Sequence, residues 1–161
     1  MHTSRIVLLG TLLLMLTATA WAQGNSHGYL LAGPGGSSPS GGGTLQVVGG
    51  GDGVFNNGAS VGAEVGYLLP FRDASSGLGL FSVNGGYHFV KSKSKAVPFL
   101  TGGYTGFFRG GYANGVNFGG GVNYWFKERM GLRVEFRDNL LTEDSSYRVH
   151  FLNVRVGLAF R

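Results

Sequence analysis

The stretch His150-Phe151-Leu152-Asn153-Val154-Arg155-Val156-Gly157-Leu158-Ala159-Phe160-Arg161 alternates strictly. His150, Leu152, Val154, Val156, Leu158 and Phe160 fall on one phase. Phe151, Asn153, Arg155, Gly157, Ala159 and Arg161 fall on the other. Successive side chains of a strand point to opposite faces, so this segment is a β-strand with one long apolar band and one small or polar face that carries a charge near its middle. In a soluble sheet the apolar band lines a core. In a membrane barrel the same pattern is turned inside out, apolar to lipid and polar to the lumen. Choosing between these two arrangements decides the fold.

Working outward, the same alternation recurs in segments separated by turn residues. Strands are expected at 28–35, 44–55, 60–69, 79–89, 97–107, 115–126, 131–138 and 149–160. Asn56-Asn57-Gly58 supplies an Asn-Gly hairpin turn between the second and third. No helical period of useful length appears. Eight is an even number, and most segments reach the ~9–11 residues a tilted membrane strand needs. If the first strand rises from the periplasm, 36–43, 70–78, 108–114 and 139–148 are outer loops, and 56–59, 90–96 and 127–130 are inner turns. The outer connections are then the longer ones, as membrane barrels require, with 90–96 as the exception.

Composition narrows the choice. Glycine supplies 31 of 161 residues, and charged residues are only 13%, against roughly a quarter in soluble domains. Aromatics also reach 13%, which argues against disorder. The N-terminus reads as an export signal over residues 1–22. His2 and Arg5 precede the apolar run Ile6 to Leu16, and Ala20-Trp21-Ala22 is a small-x-small cleavage site. The run is too short for a spanning helix. The remaining residues, 23–161, form one barrel domain. Cysteine is absent, which excludes disulfides and thiolate metal sites. The formal charge of +5 has no continuous basic patch behind it, and nucleic acid is not an expected partner. The local run Lys91-Ser92-Lys93-Ser94-Lys95 reads as a solvated turn.

Phase assigns faces. Leu132, Val134 and Phe136 oppose Arg133, Glu135 and Arg137. Val116, Phe118, Val122, Tyr124 and Phe126 oppose Asn117, Gly119, Gly121, Asn123 and Trp125. Phe81, Val83, Tyr87 and Phe89 oppose Ser82, Asn84, Gly86 and His88, and Val61, Ala63, Val65, Tyr67 and Leu69 oppose Gly62, Glu64 and Gly66. The glycine-rich first and second strands and the fifth leave their phase open, although Gln46 and Asp52 share one face. An eight-stranded barrel holds one layer of filling side chains, and the large apolar residues are too many for it. The phase of Gly, Ser, Asn and a few charges fits better, so the apolar phase faces lipid. Aromatics gather at both strand ends: Phe55, Tyr87, Phe89, Tyr124, Phe126 and Phe160 at one, Phe71, Phe107, Phe108 and Tyr112 at the other. Paired girdles are a membrane-barrel mark.

The inward phase then holds Asp52, Glu64 and Glu135 with Arg133, Arg137 and Arg155. Charges in a low-dielectric interior persist when paired, so a three-against-three network is expected. Glu64 and Glu135 are candidate partners for Arg155. Structural filling and a narrow gated pore are both open readings of this set. The glycine-rich runs have no helix after them, so they are not phosphate loops. No cofactor site is read. His27, His88 and His150 show no metal-ligand spacing. His150 lies near Ser145 and Ser146, but no acid stands at a readable position. No catalytic residue is therefore assigned, and no enzymatic activity is expected, with a lipid-modifying enzyme as the remote alternative.

The stretch Phe118-Gly119-Gly120-Gly121-Val122-Asn123-Tyr124-Trp125-Phe126, followed by Lys127-Glu128-Arg129 and Gly131 to Asp138, resembles the last hairpins of bacterial outer-membrane β-barrel domains of the OmpA/OmpX type. Gly62-Ala63-Glu64-Val65-Gly66-Tyr67 is similar to the third strand of that group. The resemblance spans most of 28–161. It implies an all-β, eight-stranded antiparallel up-and-down transmembrane barrel in the outer membrane of a Gram-negative-type bacterium, with a structural or surface-interaction role. The implied partners are outer-membrane lipid, lipopolysaccharide and the barrel-assembly machinery, and the protein is expected to be a monomer. A peptidoglycan-binding role belongs to members with a further domain and is not expected here. One departure stands out: such barrels end on the aromatic, whereas Arg161 follows Phe160.

Overall fold

A computed structural model describes residues 26–39, 41–90, 94–144 and 147–161. The expected signal segment, 1–22, lies outside them, as do Ser145 and Ser146. Eight strands follow one another: β1 (Ser26–Ser38), β2 (Gly43–Val54), β3 (Ala59–Pro70), β4 (Leu78–His88), β5 (Ala96–Phe108), β6 (Tyr112–Trp125), β7 (Met130–Asp144) and β8 (Tyr147–Phe160). Each is antiparallel to the next, and β8 returns to β1, closing the barrel. Closure leaves no free sheet edge. Both β1 and β8 have their terminal ends, Ser26 and Phe160, at one mouth of the barrel, here the termini end.

The turn Asn56-Asn57-Gly58 forms as the sequence predicts. Gly58 takes φ +89° and donates its N–H to the Phe55 carbonyl, while the Asn57 side chain accepts from Ala59 N–H. A residue with a Cβ is strained at that φ. Among the described residues no helix is long and apolar enough to cross a membrane, which says nothing about strands.

Two sequence expectations need correction. The strands run further than predicted at the end away from the termini, where the connections shrink to 39–42, 71–77, 109–111 and 145–146. Those at the termini end are 55–58, 89–95 and 126–129. The expected asymmetry of long outer loops is therefore absent. Phe108, Tyr112 to Asn114 and the run 139–144 read as loop by composition, but cross-strand pairing draws them into the strands, leaving Gly110 to turn at φ +64°: Phe108 opposes Tyr112, and Asp144 opposes Tyr147 past an irregularity between Thr142 and Asp144. Phe107 is the second correction. It was expected in an aromatic girdle, but it points inward and is 2% exposed.

The phases hold elsewhere. Leu132, Val134, Phe136, Leu152, Val154, Val156, Leu158 and Phe160 are all outward and exposed, and Arg133, Glu135, Arg137, Asn153 and Arg155 are buried inside. The phases left open are now visible. His27, Tyr29 and Leu31 of β1, Thr44, Gln46, Val48 and Asp52 of β2, and Val97, Phe99, Thr105 and Phe107 of β5 face the lumen.

Candidate functional site: the charged lumen

The inward phase of β7 sets three long charged side chains in a row, Arg133, Glu135 and Arg137. The register gives them space. Arg133 lies opposite Gly157, Glu135 opposite Gly121, and Arg137 opposite Gly119. A Cβ at Gly121 would stand 2.1 Å from the Val134 carbonyl oxygen and 2.9 Å from Glu135 Cα, so no larger residue fits beside the row without moving backbone. Glycine on the neighbouring strands lets the long side chains lie across the lumen.

Glu135 is the hub. It accepts from Arg133 Nε at 2.9 Å, Arg137 Nε at 2.7 Å and Arg155 Nη2 at 2.6 Å. Across the lumen, Arg133 Nη1 donates to Asp52 Oδ2 of β2 at 2.7 Å. Arg155 holds Glu64 of β3 with both terminal nitrogens, at 2.9 and 3.0 Å. Arg137 Nη2 also lies 3.8 Å from Glu64. The six sequence-selected residues thus meet in one electrically neutral network, and Arg155 has both of its expected partners. Except for Asp52, at 8%, none is more than 2% exposed. Mutual pairing is what offsets the desolvation of such buried charges.

Neutral groups extend the network. Arg133 is sandwiched between the rings of Tyr29 and Phe99, each centroid 4.1 Å from its guanidinium carbon. Tyr29 donates its hydroxyl to Glu64 at 3.2 Å. Arg137 Nη1 donates to Asn117 Oδ1, and Asn117 in turn donates to Asn84 at 2.8 Å and Thr105 at 2.9 Å. Ser82 and Thr105 share a hydrogen bond of 2.8 Å.

Above and below this layer large apolar side chains join the buried polar ones, and of these the sequence reading assigns only Trp125 to the inward phase. Leu68, Leu80, Phe107 and Phe151 lie towards the end away from the termini, and Val97, Phe99 and Trp125 towards the termini end. The signal was present: Leu68 shares the phase of Glu64, and Phe151 that of Arg155. His27 packs on Trp125 with centroids 4.8 Å apart, and His88 stacks on Phe99 at 5.3 Å. Arg161, the departure from the expected aromatic terminus, folds back across the rim. Its guanidinium lies 4.4 Å from the Trp125 ring centroid, and its Nε donates to the Glu128 carbonyl at 2.7 Å. Among the described residues no three His, Asp or Glu are grouped to hold a metal ion. The chemistry of the six charged residues is mutual neutralisation.

No family model matches the sequence, and none of the curated proteins does. Solved structures do match in fold. Neisserial surface protein A (NspA) superposes with a TM-score of 0.60 at 16% identity, over 84% of this chain and 96% of that one. The N-terminal β-barrel domain of Pseudomonas aeruginosa OprF gives 0.54 at 14% identity, over 86% and 100%. A de novo designed transmembrane β-barrel gives 0.55 at 20% identity, over 86% and 97%. The chain has the fold of the eight-stranded outer-membrane β-barrels, as the resemblance implied. A designed barrel among the matches makes plain that likeness at this identity concerns fold, not role.

Proposed function

We propose that this chain is an integral outer-membrane protein with a structural or surface-interaction role, its lumen plugged rather than conducting. The observation that carries the membrane placement is the outward wall. Val61, Val65, Val83, Leu100, Val116, Phe118, Val134, Phe136, Val154 and Val156 are each between 42% and 58% exposed, and with Leu30 of β1 and Val47 of β2 they put exposed apolar side chains on every strand of the barrel. Monomeric soluble proteins do not carry an apolar surface of that extent. Each such side chain gains roughly 1.5–3 kcal/mol on full removal from water. Exposed aromatics border this apolar belt: Phe55, Tyr87, Phe89, Tyr124 and Phe126 at the termini end, Phe71, Phe108 and Tyr112 at the other. On this reading the termini end faces the periplasm. Lipid and lipopolysaccharide cover the belt, and the barrel-assembly machinery inserts the chain, with residues 1–22 as its export signal.

The plug rests on the ion-pair layer together with the apolar side chains that flank it, since a permeant ion would have to pass both. Membrane fractionation and heat-modifiable gel migration test the placement: a soluble periplasmic protein whose migration does not change on boiling overturns it. Planar-bilayer recording of the refolded protein tests the plug, with no single-channel steps expected; reproducible steps would establish the narrow-pore alternative.

A further inference from the structure

A second ionisable cluster lies outside the lumen. Asp138 stands on the outward phase of β7, among Phe136, Leu140 and Leu152, yet it is only 3% exposed. Its Oδ2 meets Nδ1 of His150, on the outward phase of β8, at 2.8 Å. The imidazole remains 39% exposed. On the other side of His150, the register places Ser38 of β1 directly opposite it, also outward and exposed. Directly opposed residues bring their Cβ atoms to about 5 Å. An acid, an imidazole and a hydroxyl thus stand on three adjacent strands, the imidazole–acid contact formed and the hydroxyl set beside the imidazole by register, in the order orienting group, base and nucleophile.

The wall beside them is thin. Gly36 is paired with Gly43 on the same outward phase, and a Cβ at Gly36 would meet nothing nearer than the Gly42 carbonyl oxygen at 3.6 Å. The exposed ring of Phe71 overlies Gly43 on the far side. The surface beside the cluster is thus low at Gly36 and apolar at Phe71, which suits an acyl chain.

We propose that Ser38, His150 and Asp138 form an acyl-ester hydrolase site on the barrel wall, acting on an ester-linked acyl chain of a membrane lipid. This rests on the membrane reading above for access to substrate. The Ser38 Oγ attacks the ester carbonyl carbon and its proton passes to His150 Nε2. The ester C–O bond breaks, and the imidazolium returns that proton to the departing alkoxide. Water then attacks the acyl-serine by the same route, releasing the fatty acid and restoring Ser38. Asp138 is the positioning residue, accepting the Nδ1–H and so leaving Nε2 as the nitrogen that takes the proton.

The test uses the refolded full chain in detergent micelles with a fluorophosphonate probe, which forms a phosphorus–Oγ bond and releases fluoride, followed by peptide mass spectrometry. Phospholipid vesicles with a fluorescent acyl ester then report fatty-acid release. Labelling of Ser38 is expected, and both readouts should vanish in Ser38→Ala. His150→Asn should lower the labelling rate by roughly 100-fold or more. Ser38 and His150 are accessible, so gel migration of these variants confirms folding even if Asp138→Asn does not fold. In the wild type, 15N chemical shifts of His150 should show the Nδ1–H tautomer, and Asp138→Asn should shift it towards the other. A heat-modifiable protein whose Ser38 is not labelled and that releases no fatty acid overturns the proposal. Because labelling is done in micelles, its failure is separate from failure of the fractionation experiment.

Discussion

Glu135→Ala removes the hub of the lumen. In the native barrel Glu135 takes hydrogen bonds from Arg133, Arg137 and Arg155, and it is fully buried. Without it three guanidinium groups face two carboxylates, Asp52 and Glu64. Arg137 keeps only the 3.8 Å approach to Glu64 and its neutral bond to Asn117. Removing one partner from a buried ion pair costs about 3–5 kcal/mol, because the charge left behind is neither hydrated nor paired. With a urea slope of ~1–3 kcal/mol/M, the unfolding midpoint falls by roughly 1–5 M. The assay is urea titration of the refolded barrel in detergent, followed by tryptophan fluorescence and by loss of the heat-modifiable band. A double variant, Glu135→Ala with Arg155→Met, restores the balance as Asp52–Arg133 and Glu64–Arg137 and should recover part of the loss. A midpoint for Glu135→Ala that matches the wild type would refute the reasoning, since it would mean that the three arginines do not depend on this carboxylate.

Three further outcomes follow from particular residues. A Cβ at Gly33 would lie 1.8 Å from the Val154 carbonyl oxygen and 2.7 Å from Arg155 Cα, so Gly33→Ala must spread the β1–β8 seam; a loss of about 1–3 kcal/mol, as for overpacking, should appear in the same urea titration. Val134→Arg puts a charge on the outward belt near the middle of β7 and should cost about 2–4 kcal/mol in lipid vesicles; no cost there would place that face in water. Asp73, in the connection between β3 and β4, accepts hydrogen bonds from the Ser75 hydroxyl, at 2.6 Å, and the Ser75 backbone N–H, and these hold its carboxyl below the usual carboxylate range. Its contribution to local order is therefore present above the ordinary carboxylate pKa and lost as pH falls through the depressed folded value. A Ser75→Ala variant should move the Asp73 titration, followed by NMR, back upwards.

Much of this was readable in the chain because strand geometry has a period of two. Once β7 and β8 are phased, the inward positions of Arg133, Glu135, Arg137 and Arg155 follow, and only the partners across the barrel require closure to be known. The strand ends were harder. Gly110, Asn114, Asn139 and Thr142 carry turn-type chemistry, while what keeps the last three in strands is pairing with distant residues, which local composition does not report. The glycine-rich β1 and β2 hid their phase for a related reason: a residue without a side chain marks neither face. The Asp138–His150 contact was invisible because it is a diagonal between two strands, and Ser38 is far from both in sequence. Arg161 looked anomalous only because its stacking partner, Trp125, comes from another hairpin.

The hub at Glu135 has a consequence for how the cylinder closes. Side chains alternate, so sliding β8 by one residue along β7 would send Arg155 outward and draw Val154 or Val156 in. Glu64 and Glu135 would then face aliphatic carbon while a guanidinium entered the apolar belt. A closure slipped by one residue strands at least one charge, and the aligned one leaves all six paired. The six charges therefore act as a combination lock on strand alignment, and a barrel that has closed wrongly holds a standing drive to reopen.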